Sequence, residues 1–119
     1  MGEIKTYRDL IVWQKSMSFV TNIYKLTNEF PKGEMYALTS QIRRSAVSIP
    51  SNIAEGYGRN SKPEYVRFLK IAIASLFELQ TQLQVAVNLE YFSRESFEEF
   101  FELSREIERM LSSLIRKLK

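Results

Sequence analysis

The chain contains no cysteine and no histidine. These two absences exclude disulfides, thiolate nucleophiles, imidazole general bases and every metal site built on Cys or His. A di-iron carboxylate bundle is excluded too, because it draws on Glu-x-x-His pairs. The lack of cysteine fits a reducing compartment. No apolar run approaches the roughly 18 residues needed to span a bilayer. The opening stretch MGEIKTYRDLIVW lacks a charged segment followed by an apolar one and a small-residue cleavage site, so no secretory signal is expected. Proline and glycine are few, three and four in 119 residues, and they act as punctuation.

What remains is an ordinary globular balance, 45% hydrophobic and 26% charged, of a size that suits one domain over residues 1–119. Apolar spacing is helical almost throughout. A first helix carries Leu10, Trp13, Met17, Val20, Tyr24 and Thr27 on one row, with a second apolar edge at Val12, Phe19, Ile23, Leu26 and Phe30. The segment FPKGE, with Pro31 and Gly33, breaks it. A second helix is expected from near Met35, with Leu38, Ile42, Ala46, Ile49 and Ile53 on its inner face. The segment GYGRNSKPE closes it, and there Ser61 and Glu64 have capping-box spacing while Pro63 suits a first turn. A third helix shows a sustained row from Tyr65 through Leu69, Ala72, Leu76, Leu79 and Leu83 to Ala86, with a second stripe at Val66, Ile73, Phe77 and Val87. A fourth should start at Ser93, with Phe97, Phe100, Phe101, Ile107, Leu111, Leu114 and Leu118 inside.

Four amphipathic helices with short connections predict an all-α, antiparallel up-down-up-down four-helix bundle. The extra stripes on the first and third helices fit either a wide core-facing surface or contact between subunits. Pro50 stands inside the second helix, where it removes a donor and crowds the carbonyl of Ala46 at a cost of about 3 kcal/mol. The inner row stays in phase across it, which predicts one helix kinked at Pro50 rather than two helices. A polar row, Gln41, Arg44, Ser48, Asn52, Glu55 and Arg59, shares another face of the same helix. It fits a solvated face with a Glu55–Arg59 pair, or a groove that meets a phosphate backbone or another subunit.

The stretches YRDLIVWQKS, LTSQIRRSAVSIPSNIAEGYGR and FLKIAIASLFELQTQL together resemble the bacterial four-helix-bundle family named for the 23S rRNA intervening sequence. The likeness covers nearly the whole chain, and the fourth helix matches in pattern alone. The resemblance implies a cytoplasmic bacterial protein that assembles as a ring-shaped homopentamer. Some members of that family are encoded within insertions in 23S rRNA genes. Similar proteins are accessory factors to the reverse transcriptase of diversity-generating retroelements, where a basic surface meets nucleic acid. The family offers no catalytic residues to carry over.

Charge adds a direction. Residues 1–70 hold 11 Lys/Arg against 6 Asp/Glu, and residues 71–119 hold 6 against 8. The expected topology gathers Lys5, Arg8, Arg59, Lys62, Arg67, Arg116, Lys117 and Lys119 at one end. Glu29, Glu34, Glu90, Glu95, Glu98, Glu99 and Glu102 gather at the other. A basic end would draw in RNA or DNA through phosphate contacts and counterion release. Tyr57, beside Arg59, either stacks on an unpaired base or packs against the third helix. The candidate nucleic-acid residues are Arg43, Arg44, Arg59, Lys62, Arg67 and Lys70. Arg43 and Arg44 lie mid-helix and belong either to this surface or to a subunit interface. No catalytic residue, metal ligand or cofactor site is expected. The function expected is a non-enzymatic, oligomeric nucleic-acid-binding accessory protein, with a protein-interaction scaffold as the alternative.

Overall fold

The computed structural model describes residues 2–119. Four helices carry the fold: α1 (Ile11–Thr27), α2 (Leu38–Tyr57), α3 (Lys62–Asn88) and α4 (Arg94–Leu118). Short 3-10 turns at Tyr7–Asp9 and Lys32–Glu34 precede α1 and α2. There are no strands among the described residues. Along the α1–α4 and α2–α3 pairs, residues rising in number on one helix meet residues falling in number on the other. On α1 and α4, Phe19 meets Phe100 and Lys15 reaches Glu106. On α2 and α3, Ser48 meets Ser75 and Gly56 meets Phe68. Ile23, Ile42, Ile49, Leu69, Leu76 and Leu111 are fully buried where the four helices converge.

Local chemistry sets the helix boundaries. Ser61 accepts the Glu64 N–H at 3.3 Å and starts α3, and Ser93 accepts the Ser96 N–H at 3.0 Å and starts α4. The reciprocal half of the Ser61–Glu64 capping box is not made, because the Glu64 carboxylate turns to Arg67 instead. The second helix begins at Leu38 rather than near Met35. Its N-cap, Ala37, has no side-chain acceptor, and Glu34 supplies one by taking the Leu38 N–H on Oε1 at 3.2 Å. The other Glu34 oxygen accepts the Tyr91 hydroxyl at 2.7 Å, which holds the phenol pKa above its ordinary value. One carboxylate thus ties the start of α2 to the α3–α4 connection.

That connection is a helix stop built on the wrong residue. Glu90 has φ 63°, and it is the one non-glycine with positive φ among the described residues. Its N–H donates to the Val87 carbonyl at 2.9 Å, and the Tyr91 N–H donates to the Ala86 carbonyl at 2.9 Å. This is the paired hydrogen-bond pattern that usually has glycine in the left-handed position. Glu90→Gly is expected to stabilise the fold by about 0.5–1 kcal/mol, the left-handed penalty less the extra unfolded-state entropy of glycine. A urea melt in which the variant unfolds earlier than the parent would contradict the strain.

Pro50 sits buried inside α2, which is one continuous helix from Leu38 to Tyr57. The expected inner rows of α2 and α3 are the core rows, with Leu38 and Tyr65 half-buried at their ends. On α1 both apolar rows contribute to the core and neither is buried whole. Val12, Phe19 and Ile23 of the second edge are buried, whereas Met17 and Tyr24 of the first row are each 41% exposed. Val20 and Thr27 of the first row are buried too, as is Ser16, so the inner stripe of α1 draws on both rows and is partly polar. On α4, Ser104 and Ile115 are buried as well, while Phe100 and Phe101 are half-buried.

Candidate nucleic-acid interface

The polar row of α2 divides in three. Its middle is neither solvent face nor open groove. Ser48 and Ser75 share a 2.8 Å hydrogen bond across the α2–α3 seam, and the Asn52 amide donates to the Ser48 carbonyl and hydroxyl at 2.8 and 2.9 Å. Small side chains at Ser45, Ser48 and Gly56 let α3 approach α2 closely there. At one end of the row, Gln41 and Arg44 line a shallow cleft with Glu78. At the other, Arg59 approaches Glu55 at 3.5 Å.

The two mid-helix arginines part ways. Arg43 is half-buried and committed to the end of α1. Its Nε donates to Thr27 Oγ1 at 2.8 Å, and its Nη2 donates to the Tyr24 carbonyl at 3.3 Å and to Asn28 Oδ1 at 3.1 Å. Its guanidinium also lies 4.6 Å from the Tyr24 ring centroid. The Tyr24 carbonyl also accepts the Asn28 N–H at 3.1 Å, and a cation beside a helix C-terminus stabilises that end by opposing the dipole. Arg44, in contrast, is exposed, with one long 3.5 Å contact to Ser40. Arg43→Ala is expected to lose about 1.5 kcal/mol of stability from these hydrogen bonds, and Arg44→Ala under about 0.5 kcal/mol. Equal unfolding midpoints for the two variants would remove the structural role assigned to Arg43.

The remaining candidates lie where α2 ends and α3 begins. Arg59 and Arg67 converge on one aromatic ring. Their guanidinium carbons lie 4.8 and 4.5 Å from the centroid of Phe68, which is itself buried. Arg67 is further fixed by paired 3.1 Å hydrogen bonds to the two oxygens of Glu64. That contact holds the Glu64 carboxyl below its ordinary pKa and raises Arg67 in turn. Lys62 and Lys70 are exposed and form no ion pair among the described residues. Lys62 is the first residue of α3, where the helix dipole disfavours a cation.

Other elements carry further cations. The Tyr7–Asp9 turn packs on both α1 and α2, and Arg8 lies 5.8 Å over Trp13. Lys117 lines a groove with Leu10 and Val12, so the C-terminal turn of α4 adjoins the start of α1. Arg116 and Lys117 occupy the last turn of α4, where cations suit the dipole, which gives them a structural account of their own. Tyr57 takes the packing alternative. Its ring meets Tyr65 of α3 edge-on, with centroids 5.9 Å apart. The convergence of Arg59 and Arg67 on Phe68 escapes sequence reading, because Phe68 gives no sign in one dimension that its ring faces the preceding loop.

Fold and charge together define a four-helix protein with exposed cations at Arg59, Lys62, Arg67 and Lys70 where α2 gives way to α3. No helix among the described residues is long and apolar enough to cross a membrane. The family model for the 23S rRNA-intervening sequence protein matches residues 8–113, and the chain belongs to that family. Its fold is also that of a crystal structure from Bacteroides thetaiotaomicron, described as a protein with unknown function from the S23 ribosomal protein family. The two share 30% identity with a TM-score of 0.83, over 89% of this chain and 96% of that one. No curated protein matches the chain.

Proposed function

We propose that this protein is a non-enzymatic, oligomeric accessory factor that binds RNA or DNA through the basic surface at the start of α3. The observation that carries the reading is the crowding of Arg59, Lys62, Arg67 and Lys70, all exposed, around that helix start. Lys62 is there against the local dipole, and residues that break a local rule without a folding gain are those expected to serve a site. The family's name, which refers to 23S rRNA, supports an association with RNA. The basic surface carries no sequence-reading device, so it binds phosphates and positions a nucleic acid for a partner such as a reverse transcriptase. In a homopentamer, five such surfaces would act together and convert weak contacts into useful avidity.

The test is fluorescence anisotropy of labelled RNA and DNA at several salt concentrations, run beside light scattering for the oligomer mass. Micromolar or tighter binding that weakens steeply with salt is expected. Absence of binding at low salt would refute the reading.

One observation favours a second reading, a protein-interaction scaffold. Tyr36 is 96% exposed, and it shares a groove with Tyr24, Met35 and Val47, all exposed. Tyrosine, methionine and arginine are the residues that interface centres favour. A single protein partner retained after nuclease treatment, and lost on Tyr36→Ala, would establish it.

A further inference from the structure

The basic surface is as notable for its aromatic rings as for its charges. Five rings lie in or beside it, and each is already engaged. Tyr57 and Tyr65 meet edge to face. Phe68 is buried, with Arg59 and Arg67 over its ring. Trp13 is covered by Tyr7, with centroids 5.2 Å apart, and by the Arg8 guanidinium. The exposed aromatic rings among the described residues are Tyr24, Tyr36 and Phe77. Tyr24 and Tyr36 line the groove between α1 and α2, and Phe77 is in the middle of α3.

This matters because paired and unpaired nucleic acids are held by different means. Proteins that grip single strands give each base an aromatic face, worth about 1–3 kcal/mol per base. Recognition of unpaired RNA likewise relies on bases splayed onto aromatic rings. A surface that offers only cations gains from phosphate density, and a double helix carries twice the charge per length of axis that one strand does.

Resting on the nucleic-acid reading above, we infer that the basic end selects double-helical nucleic acid and discriminates against single strands, because none of its aromatic rings is exposed and each already meets a neighbouring side chain, while its cations are open to phosphates. Arg59 and Arg67 are suited to this. Stacking on Phe68 and pairing with Glu55 and Glu64 hold both guanidiniums in place, so little side-chain entropy is lost on meeting a phosphate. The size of the preference follows from counterion release. Each phosphate contact contributes a salt slope of about 0.9 on a duplex and about 0.7 on a single strand. With about five contacts at about 0.1 M salt, that difference amounts to about tenfold in affinity.

The experiment uses the intact chain and four labelled probes of equal length: duplex RNA, duplex DNA, and the corresponding single strands. Duplexes are expected to bind about tenfold tighter, with the steeper salt slope. Tyr57→Ala is expected to leave both affinities within about twofold, since its ring meets no base. Emission from Trp13, the sole tryptophan, provides a readout on the unaltered protein, and single strands are expected not to quench it. Equal or tighter binding of single strands, or quenching of Trp13 by them, overturns the inference while leaving nucleic-acid binding intact. Failure of all four probes to bind overturns the function itself. A preference between duplex RNA and duplex DNA, with both ahead of single strands, upholds the inference and identifies which helix geometry the surface fits.

Discussion

Replacing Arg59, Lys62 and Arg67 together with alanine is expected to weaken nucleic-acid binding by about two orders of magnitude near 0.1 M salt, and to flatten the salt dependence by two to three units of slope. Three phosphate contacts are lost, each of which would release about one counterion. The change also frees Glu55 and Glu64, now unpaired, to repel the backbone they previously left alone. These two ion pairs are exposed, so their loss should cost the fold little. Removing both guanidiniums uncovers the Phe68 ring, and a melt of the variant checks that the helices remain formed. The comparison variant is Arg116, Lys117 and Lys119 to alanine. It removes the same number of cations from the end of α4, where two of them answer the helix dipole. A loss confined to the first triple places the contact surface at the start of α3. Equal losses in both would spread it over the whole end of the bundle, and unchanged affinity in the first would sink the assignment.

Gly56→Ala is expected to destabilise the protein by about 2 kcal/mol, the reverse of its effect in an ordinary helix. In an exposed helix interior, alanine is favoured over glycine by about 1 kcal/mol. Gly56 is buried on α2, and a Cβ there would fall 2.7 Å from the Cβ of Phe68 and 3.2 Å from the Tyr65 carbonyl. Neither atom is the free end of a flexible chain, so α3 must shift along its first turns. Overpacking of this kind typically costs about 1–3 kcal/mol. The same shift would disturb Phe68, on which Arg59 and Arg67 rest, so the substitution is expected to weaken nucleic-acid binding as well. A denaturant midpoint at or above that of the parent would show that the seam has room, and would remove the argument that glycine is there for close approach.

Much of this architecture is legible in one dimension because helices have a fixed period. Ile42, Ala46, Ile49 and Ile53 recur every three or four residues, and so do Leu69, Ala72, Leu76, Leu79 and Leu83; all are buried. Ser61 and Ser93 mark two helix starts by side-chain chemistry that operates within four residues. The lopsided charge, and the cations at Arg59, Lys62 and Arg67, follow from composition and helix order.

Other features depend on what each helix meets. Periodicity gives α1 two apolar edges, and packing buries parts of both, with Ser16 and Thr27 among them. The polar row on α2 resembles a solvent face until Ser75 of α3 arrives to bond Ser48. Arg43 and Arg44 are equivalent as text. A turn of about 100° between successive residues sends one to the end of α1 and the other to solvent. Tyr57, which reads as a possible base-stacking ring, is engaged because Tyr65 on the next helix meets it, and Arg59 from the preceding loop joins Arg67 over Phe68. The sequence by itself determined the helices and the apolar rows of α2 and α3, since these rest on interactions within a few residues. Tertiary structure alone decided which residues of α1 are buried, which arginines remain free and which aromatic rings are engaged, since each of these requires a partner brought close by the fold.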